Sequence, residues 1–304
     1  MTTRLRADAE PRSRGQLSLL ARPRLRLSAV LPFLRGRERL SMKIGCVLLG
    51  IIILAAIFAP VISKYSPSAL NPLAPLEGPS SKHFFGTDQF GRDIFARTVY
   101  AARIDLIIAF SLVSTAFVVG TALGVVAGWF GGVADSVLMR VVDVALAFPF
   151  LVLVISIVGL RGPGLLSLYV AVSTVSWVFY SRLVRSEVRQ VRHSEYMLAA
   201  RASDFSVLRV LGRHLLPNVI IQPIVYASSD LVYALLLGAS VSYLGLGVQP
   251  PTPEWGQMVQ DGSTFIGVQW WLSFFPGAAI VVTAVAFSLI GDGLAALARE
   301  GSAQ

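Results

Sequence analysis

The sequence predicts an all-α membrane protein with six transmembrane helices, and two observations carry that prediction. Of its 304 residues 55% are hydrophobic and 14% are charged, against about 25% charged in an ordinary soluble domain. The apolar residues are also gathered into long uncharged runs. Helices apolar on every side need burial all round, which a soluble core of this length does not supply. Lipid is the solvent such a chain requires. The length suits one membrane domain with short connections, without room for a second large enzymatic domain.

A hydrocarbon core of about 30 Å takes roughly 20 apolar residues as a helix. Residues 44–63 and 106–130 are uncharged and supply the first two spans. Residues 144–160 supply the third, extended backward by Val141 and Val142 past Asp143. Residues 162–180 and 219–244 give the fourth and fifth, and the last twenty or so of 262–291 give the sixth. Pro149 and Pro223 are expected to kink the third and fifth helices. The first span has Ala55, Ala56 and Ala59 near its end, as a signal-peptide cleavage site would. A basic leader of 43 residues exceeds a normal n-region and further spans follow, so it reads as a retained span. Asp230 lies inside the fifth span, where an Asp costs about 2.5 to 3.5 kcal/mol. The twelve Leu, Ile and Val residues of 219–244 return roughly 4 to 7 kcal/mol, so the span still inserts.

The net charge of +9 would suit nucleic acid, but its placement does not. Eleven of 26 Lys and Arg residues fall between Arg4 and Lys43, and seven more between Arg182 and Arg213. Both clusters flank apolar runs, as the positive-inside rule requires. With the N-terminus inside, the cytosolic pieces 1–43, 131–140, 181–217 and the C-terminal tail hold 20 of the 26. No nucleic-acid fold or aromatic platform accompanies them. Trp129 and the pair Trp270 and Trp271 fall near predicted interfaces. The single Cys46 sits in an apolar run and forms no internal disulfide.

The chain therefore divides into a basic flexible tail (1–42) that sets topology, a first span (43–63), an outer loop (64–103) and a five-helix domain (104–298). The outer loop holds Pro67, Pro72, Pro75 and Pro79, then His83, Gly86, Asp88, Gly91, Arg92 and Asp93. The glycines permit tight turns, and the charges read as a local salt-bridge network in preference to a metal site. Gly120, Gly124 and Gly128 recur every four residues in the second span, the spacing of close helix packing. Arg140 and Asp143, three apart, are placed to pair at the inner interface.

The connection 181–217 is long for a mere link. Ala199 and Ala200 favour a helix; Ser203 or Asp204 is placed to cap a second one, and Pro217 to stop it. In that second helix Val207, Leu208, Val210 and Leu211 are set against Arg209 and Arg213, an amphipathic pattern. A helix pair with small residues at its tip fits a groove on a partner, and the alternative is a helix lying in the headgroups.

Residues 195–218 resemble the EAA loop of bacterial ABC importer permeases, with Glu195, Ala199, Ala200, Gly212 and the closing Leu216–Pro217 pair. Residues 83–103 resemble the outer signature of the dipeptide/oligopeptide branch, with Gly86-Thr87-Asp88 and Gly91-Arg92-Asp93. Residues 243–256 and 291–294 resemble its later landmarks. The likeness runs from about Lys43 to Leu297. It implies a type I ABC importer transmembrane domain with cytosolic coupling helices in a bacterial inner membrane, both termini cytoplasmic. It also implies a homologous second permease subunit, two ATP-binding subunits that carry ATP and Mg, and an extracytoplasmic solute-binding protein. By position Glu195, Ala199, Ala200, Arg201 and Asp204 become ATPase-coupling residues, and Pro217 restarts the chain into the membrane. The chain departs from the pattern at Asp204, where glycine is usual, at Leu198, at Gly238, where a glutamate is often found, and at Ser288. Asp230 is a candidate for the missing intramembrane acid, and Asp143 for a second polar pathway residue.

No cofactor or metal of the chain's own is expected. It holds no Gly-x-x-x-x-Gly-Lys-Ser/Thr phosphate loop. The three histidines, His83, His193 and His214, are spread over both predicted sides of the membrane, against a membrane enzyme. The competing reading is a secondary transporter with Asp230 and Asp143 as an ion relay. No inverted repeat or paired broken helices support it. The branch implies di- or oligopeptide solutes, although relatives also carry nickel chelates, glutathione or other small solutes.

Overall fold

The computed structural model describes residues 27–202 and 205–301, all helix and connection with no strand among them beyond one isolated Thr87–Asp93 bridge. Residues 1–37 and 38–304 form separate units. The elements in order are α1 (Leu27–Ile57), α2 (Ala59–Ile62), α3 (Ile94–Phe130), α4 (Gly132–Leu146), α5 (Phe150–Arg161) and α6 (Leu165–Val191). Then follow α7 (Glu195–Ala202), α8 (Val207–Val210), a π-helical segment (Leu211–Leu215), α9 (Leu216–Val219), α10 (Ile221–Tyr243), α11 (Trp255–Ser263) and α12 (Trp271–Gly301).

Four helices are long and apolar enough to cross a membrane among the described residues: the stretch Leu40–Ile57, α3, α10 and α12. A fifth is added if α4 and α5 count as one span. The expected fourth span lies in α6, where Ser167, Ser173, Thr174, Ser176 and Ser181 dilute the apolar residues and leave it outside that set. The expected third span is not one kinked helix. Its two halves meet at 84°, because Pro149 lacks an N–H for α4 to continue and becomes the N-cap of α5 instead. Pro223 falls in the first turn of α10, beyond a break at Ile220, so α10 has no mid-helix kink from it.

The most extensive packing joins α3 to α6. The glycines predict this contact. A Cβ added at Gly124 would lie 2.7 Å from the Ser181 carbonyl oxygen, and one at Gly128 would lie 2.7 Å from Val188 Cβ. Gly120 fits against Trp177 and Tyr180 in the same way. Removing side chains at this spacing lets two backbones approach, the main source of helix affinity in lipid. On its other sides α3 meets α10 and α12, around buried Leu106, Ala109, Leu235 and Phe287. Cys46 is exposed on α1, in keeping with a lipid-facing thiol.

The salt-bridge reading of the outer loop holds. His83 Nδ1 lies 2.7 Å from Asp93 Oδ2, and Arg92 Nε donates to Asp88 Oδ2 at 2.5 Å. Gly86 and Gly91 take φ of 79° and 69°, the left-handed turns their lack of a side chain allows. Asp93 caps α3 through the Ala96 N–H at 2.7 Å. The predicted Arg140–Asp143 pair does not form: both side chains are exposed, and the ion pair at this end runs from Arg185 of α6 to Asp135 of α4 instead. Trp129 is buried against Val184 and Val188 near the C-terminal end of α3.

Candidate functional site

Three regions combine polar chemistry with defined geometry. The first is the connection after α6. Arg192, at the α6 C-terminus, donates from Nη1 to the Trp129 carbonyl at 2.6 Å and so ties the loop's start to the end of α3. Helix α7 follows, with Glu195 exposed in its first turn and Met197 fully buried among Val184, Val188, Val210, Leu215 and Val219. Ala199, Ala200 and Arg201 lie on this helix, whereas Ser203 and Asp204 lie outside the described residues.

The chain then stays helical from Val207 to Val219 by way of the π segment. Pro217 is exposed in the first turn of α9 and does not end a helix as expected. The Leu216 N–H reaches back five residues to Leu211. This wider turn precedes the residue that has no N–H to donate, so the helix passes through Pro217 without a steric break. The amphipathic pattern is split. Val210 is buried and Leu211 half-buried, yet Leu208 is 83% exposed and Val207 is exposed beside it. Tyr196, Leu198 and Phe205 are exposed in the same short segment. Phe205 stacks on His214 with ring centres 6.1 Å apart and carries Arg209 over its face at 5.6 Å. The sequence pattern assigned Phe205 no role; an aromatic beside the helix start was the available signal.

The second region is a cavity of about 390 Å³ among α3, α5, α6 and α10. Asp230 lines it, and its Oδ2 accepts a hydrogen bond from the Tyr180 hydroxyl at 3.0 Å. Asp143 does not line it. The two acids predicted for one pathway are therefore not brought together in this cavity.

The third region joins two stretches that are distant in sequence. Arg97 is buried at the start of α3 and donates to the carbonyl oxygens of Pro67 at 3.1 Å and Pro251 at 3.4 Å. Trp255 donates from Nε1 to the Thr98 carbonyl at 2.9 Å and from its backbone N–H to Asp105 Oδ2 at 3.2 Å. Glu254 is fully buried and caps α11 by accepting from the N–H groups of Gly256 at 2.9 Å and Gln257 at 2.8 Å. Burial pushes its carboxyl above the ordinary 4.5. The motifs at 83–93 and 243–256 thus form one cap over the N-terminal end of α3.

An all-helical membrane bundle with a long, partly apolar connection at one end and a polar cap at the other is the form of a transport permease. The chain belongs to the family of binding-protein-dependent transport system inner membrane components, matched over residues 120–300, and residues 39–79 match the N-terminal TM domain of oligopeptide transport permease C. It is 40% identical over 276 residues to the dipeptide transport system permease protein of Alkalihalophilus pseudofirmus, covering 90% of this chain and 91% of that one. It is 38% identical over 250 residues to a probable D,D-dipeptide transport system permease protein of Escherichia coli, covering 82% and 84%. To the oligopeptide transport system permease protein of Bacillus subtilis it is 36% identical over 287 residues, covering 94% and 91%. The chain is therefore an ABC permease of the dipeptide/oligopeptide type, a multi-pass inner-membrane protein, and a transport permease rather than an enzyme.

Proposed function

We propose that this chain is one membrane subunit of an ATP-driven importer of di- or oligopeptides. It crosses the membrane six times, with α6 and the broken α4–α5 pair each as one crossing and both termini in the cytosol. A homologous permease subunit completes the pathway, an external binding protein delivers solute to the cap, and two ATPase subunits hold ATP and Mg. The relatives' names support the solute class. The carrying observation is the connection after α6, which is anchored by Met197 and Leu215 yet leaves Tyr196, Leu198, Phe205, Val207 and Leu208 exposed. A rigidly rooted segment with an uncovered apolar tip suits insertion into a groove of another chain. ATP-driven closure of the ATPases would then press on α7 and shift the bundle between outward- and inward-open states.

The role of Arg201 in this reading is to pair with an ATPase carboxylate. Arg201→Glu places like charges together and should impair complex assembly or coupled ATP hydrolysis. Wild-type uptake by that variant would sink the docking assignment.

A further inference from the structure

We propose that the cavity between α3, α5, α6 and α10 is a recognition site for the solute's ammonium group, with Asp230 as its counter-ion. This rests on the importer reading and adds a solute chemistry to it. Asp230 is the one ionisable acid or base, tyrosines aside, among the residues lining the cavity, and no Lys or Arg pairs with it among the described residues. Its partner on this chain is the neutral Tyr180 hydroxyl. A phenol compensates a carboxylate inside the bilayer only in part, and intramembrane acids ordinarily face a cation or a polar path.

The rest of the wall selects the sign and shape of that partner. Phe150, Phe179, Tyr226 and Tyr233 line the same space. Phe150 lies 5.9 Å from Tyr233 and 6.2 Å from Phe179 between ring centres, and Tyr226 meets Tyr180 edge-on at 5.0 Å. Aromatic faces attract cations and give nothing comparable to anions. Rings gathered around one carboxylate are the chemistry of ammonium recognition. Ser176 adds a hydroxyl that is buried in the cavity wall without a hydrogen-bond partner. At about 390 Å³ the space falls within the roughly 300 to 1,000 Å³ of small-molecule sites. The class of ligand is a compact zwitterion or cation with a primary amine, such as a free-amine dipeptide.

The test is direct binding to the assembled transporter in nanodiscs without binding protein, using radiolabelled alanyl-alanine, with N-acetyl-alanyl-alanine as competitor. The wild type is expected to hold the free-amine peptide at least about tenfold more tightly than the acetylated one, a difference of about 1.4 kcal/mol. Asp230→Asn should erase the preference, and Asp230→Glu should keep part of it. Equal affinity for both peptides, or no binding to the wild type, overturns the proposal. So does loss of complex assembly in Asp230→Asn, which would mean that Asp230 pairs with a basic side chain of the second subunit. Wild-type uptake without ATP would defeat the importer reading instead, and leaves the binding result standing on its own.

Discussion

Glu254 shows how much one buried side chain decides in the outer cap. Its two oxygens hold the first turn of α11, and Asp105 lies in the same dry site with its Oδ2 on the Trp255 N–H. A carboxyl whose folded pKa is raised by burial binds its proton more tightly folded than unfolded. Its contribution to stability is therefore complete below the ordinary 4.5 and is lost as pH climbs through the elevated folded value. Thermal denaturation in detergent should show a midpoint that falls as pH rises past the ordinary carboxylate value, and Glu254→Gln should flatten that slope while costing about 1 kcal/mol at the acidic end through the lost cap. An unchanged slope in the variant would remove Glu254 as its source. None of this was legible in the sequence, where Glu254 stands in a proline-rich stretch and Asp105, 149 positions earlier, at the edge of an apolar run. Only the fold brings the two acids together. The pairing of Arg185 with Asp135 escaped for a similar reason. Local spacing favoured Arg140 with Asp143, but a contact between helices 50 residues apart prevailed.

At the scale of elements the sequence was a good guide wherever one helix face carries a repeated signal. Gly120, Gly124 and Gly128 announced close packing, and the α3–α6 contact is that packing. Gly124→Val would drive a side chain into the Ser181 backbone, for which no rotamer gives room. The variant should lose about 1 to 3 kcal/mol, read as a lower thermal midpoint and lower yield in detergent. The prolines were harder to read, because a missing N–H has several outcomes. At Pro149 the chain breaks through 84°, whereas at Pro217 a preceding π turn lets it continue. The apolar pattern of 207–211 was visible but not its division. Val210 is inside because Met197 and Leu215 give it a place, while Leu208 stays exposed and belongs to no apolar cluster among the described residues. Leu208→Asp should leave the thermal midpoint of the isolated chain unchanged within about 0.5 kcal/mol. It should reduce recovery of ATPase subunits with the purified complex. A midpoint that falls with full ATPase recovery would show Leu208 to be a packing residue.

For the whole molecule, composition and charge placement gave the class, and the matching families agree with it. The number of crossings was less secure, because hydropathy cannot decide whether a serine-bearing helix such as α6 crosses the membrane or packs within protein. Orientation is open to a simple test. In a Cys46→Ser background, Leu208→Cys should react with a membrane-impermeant maleimide only from the cytosolic side. Leu73→Cys, 93% exposed in the loop before α3, should react only from outside, and the reverse pattern would invert the topology. The length of α3 bears on what such a molecule can transmit. Its 37 residues extend about 55 Å at 1.5 Å each, well beyond a hydrocarbon core of about 30 Å. No proline interrupts it, Asp93 fixes one end within the polar cap, and Arg192 grips the carbonyl of Trp129 at the other. Such a rod has no soft joint in which to dissipate a displacement. If the proposed ATPases act at the Trp129 end, a tilt imposed there is carried along this rod to the Asp93 end, and the mouth of the pathway and its drive would move as the two arms of a single lever.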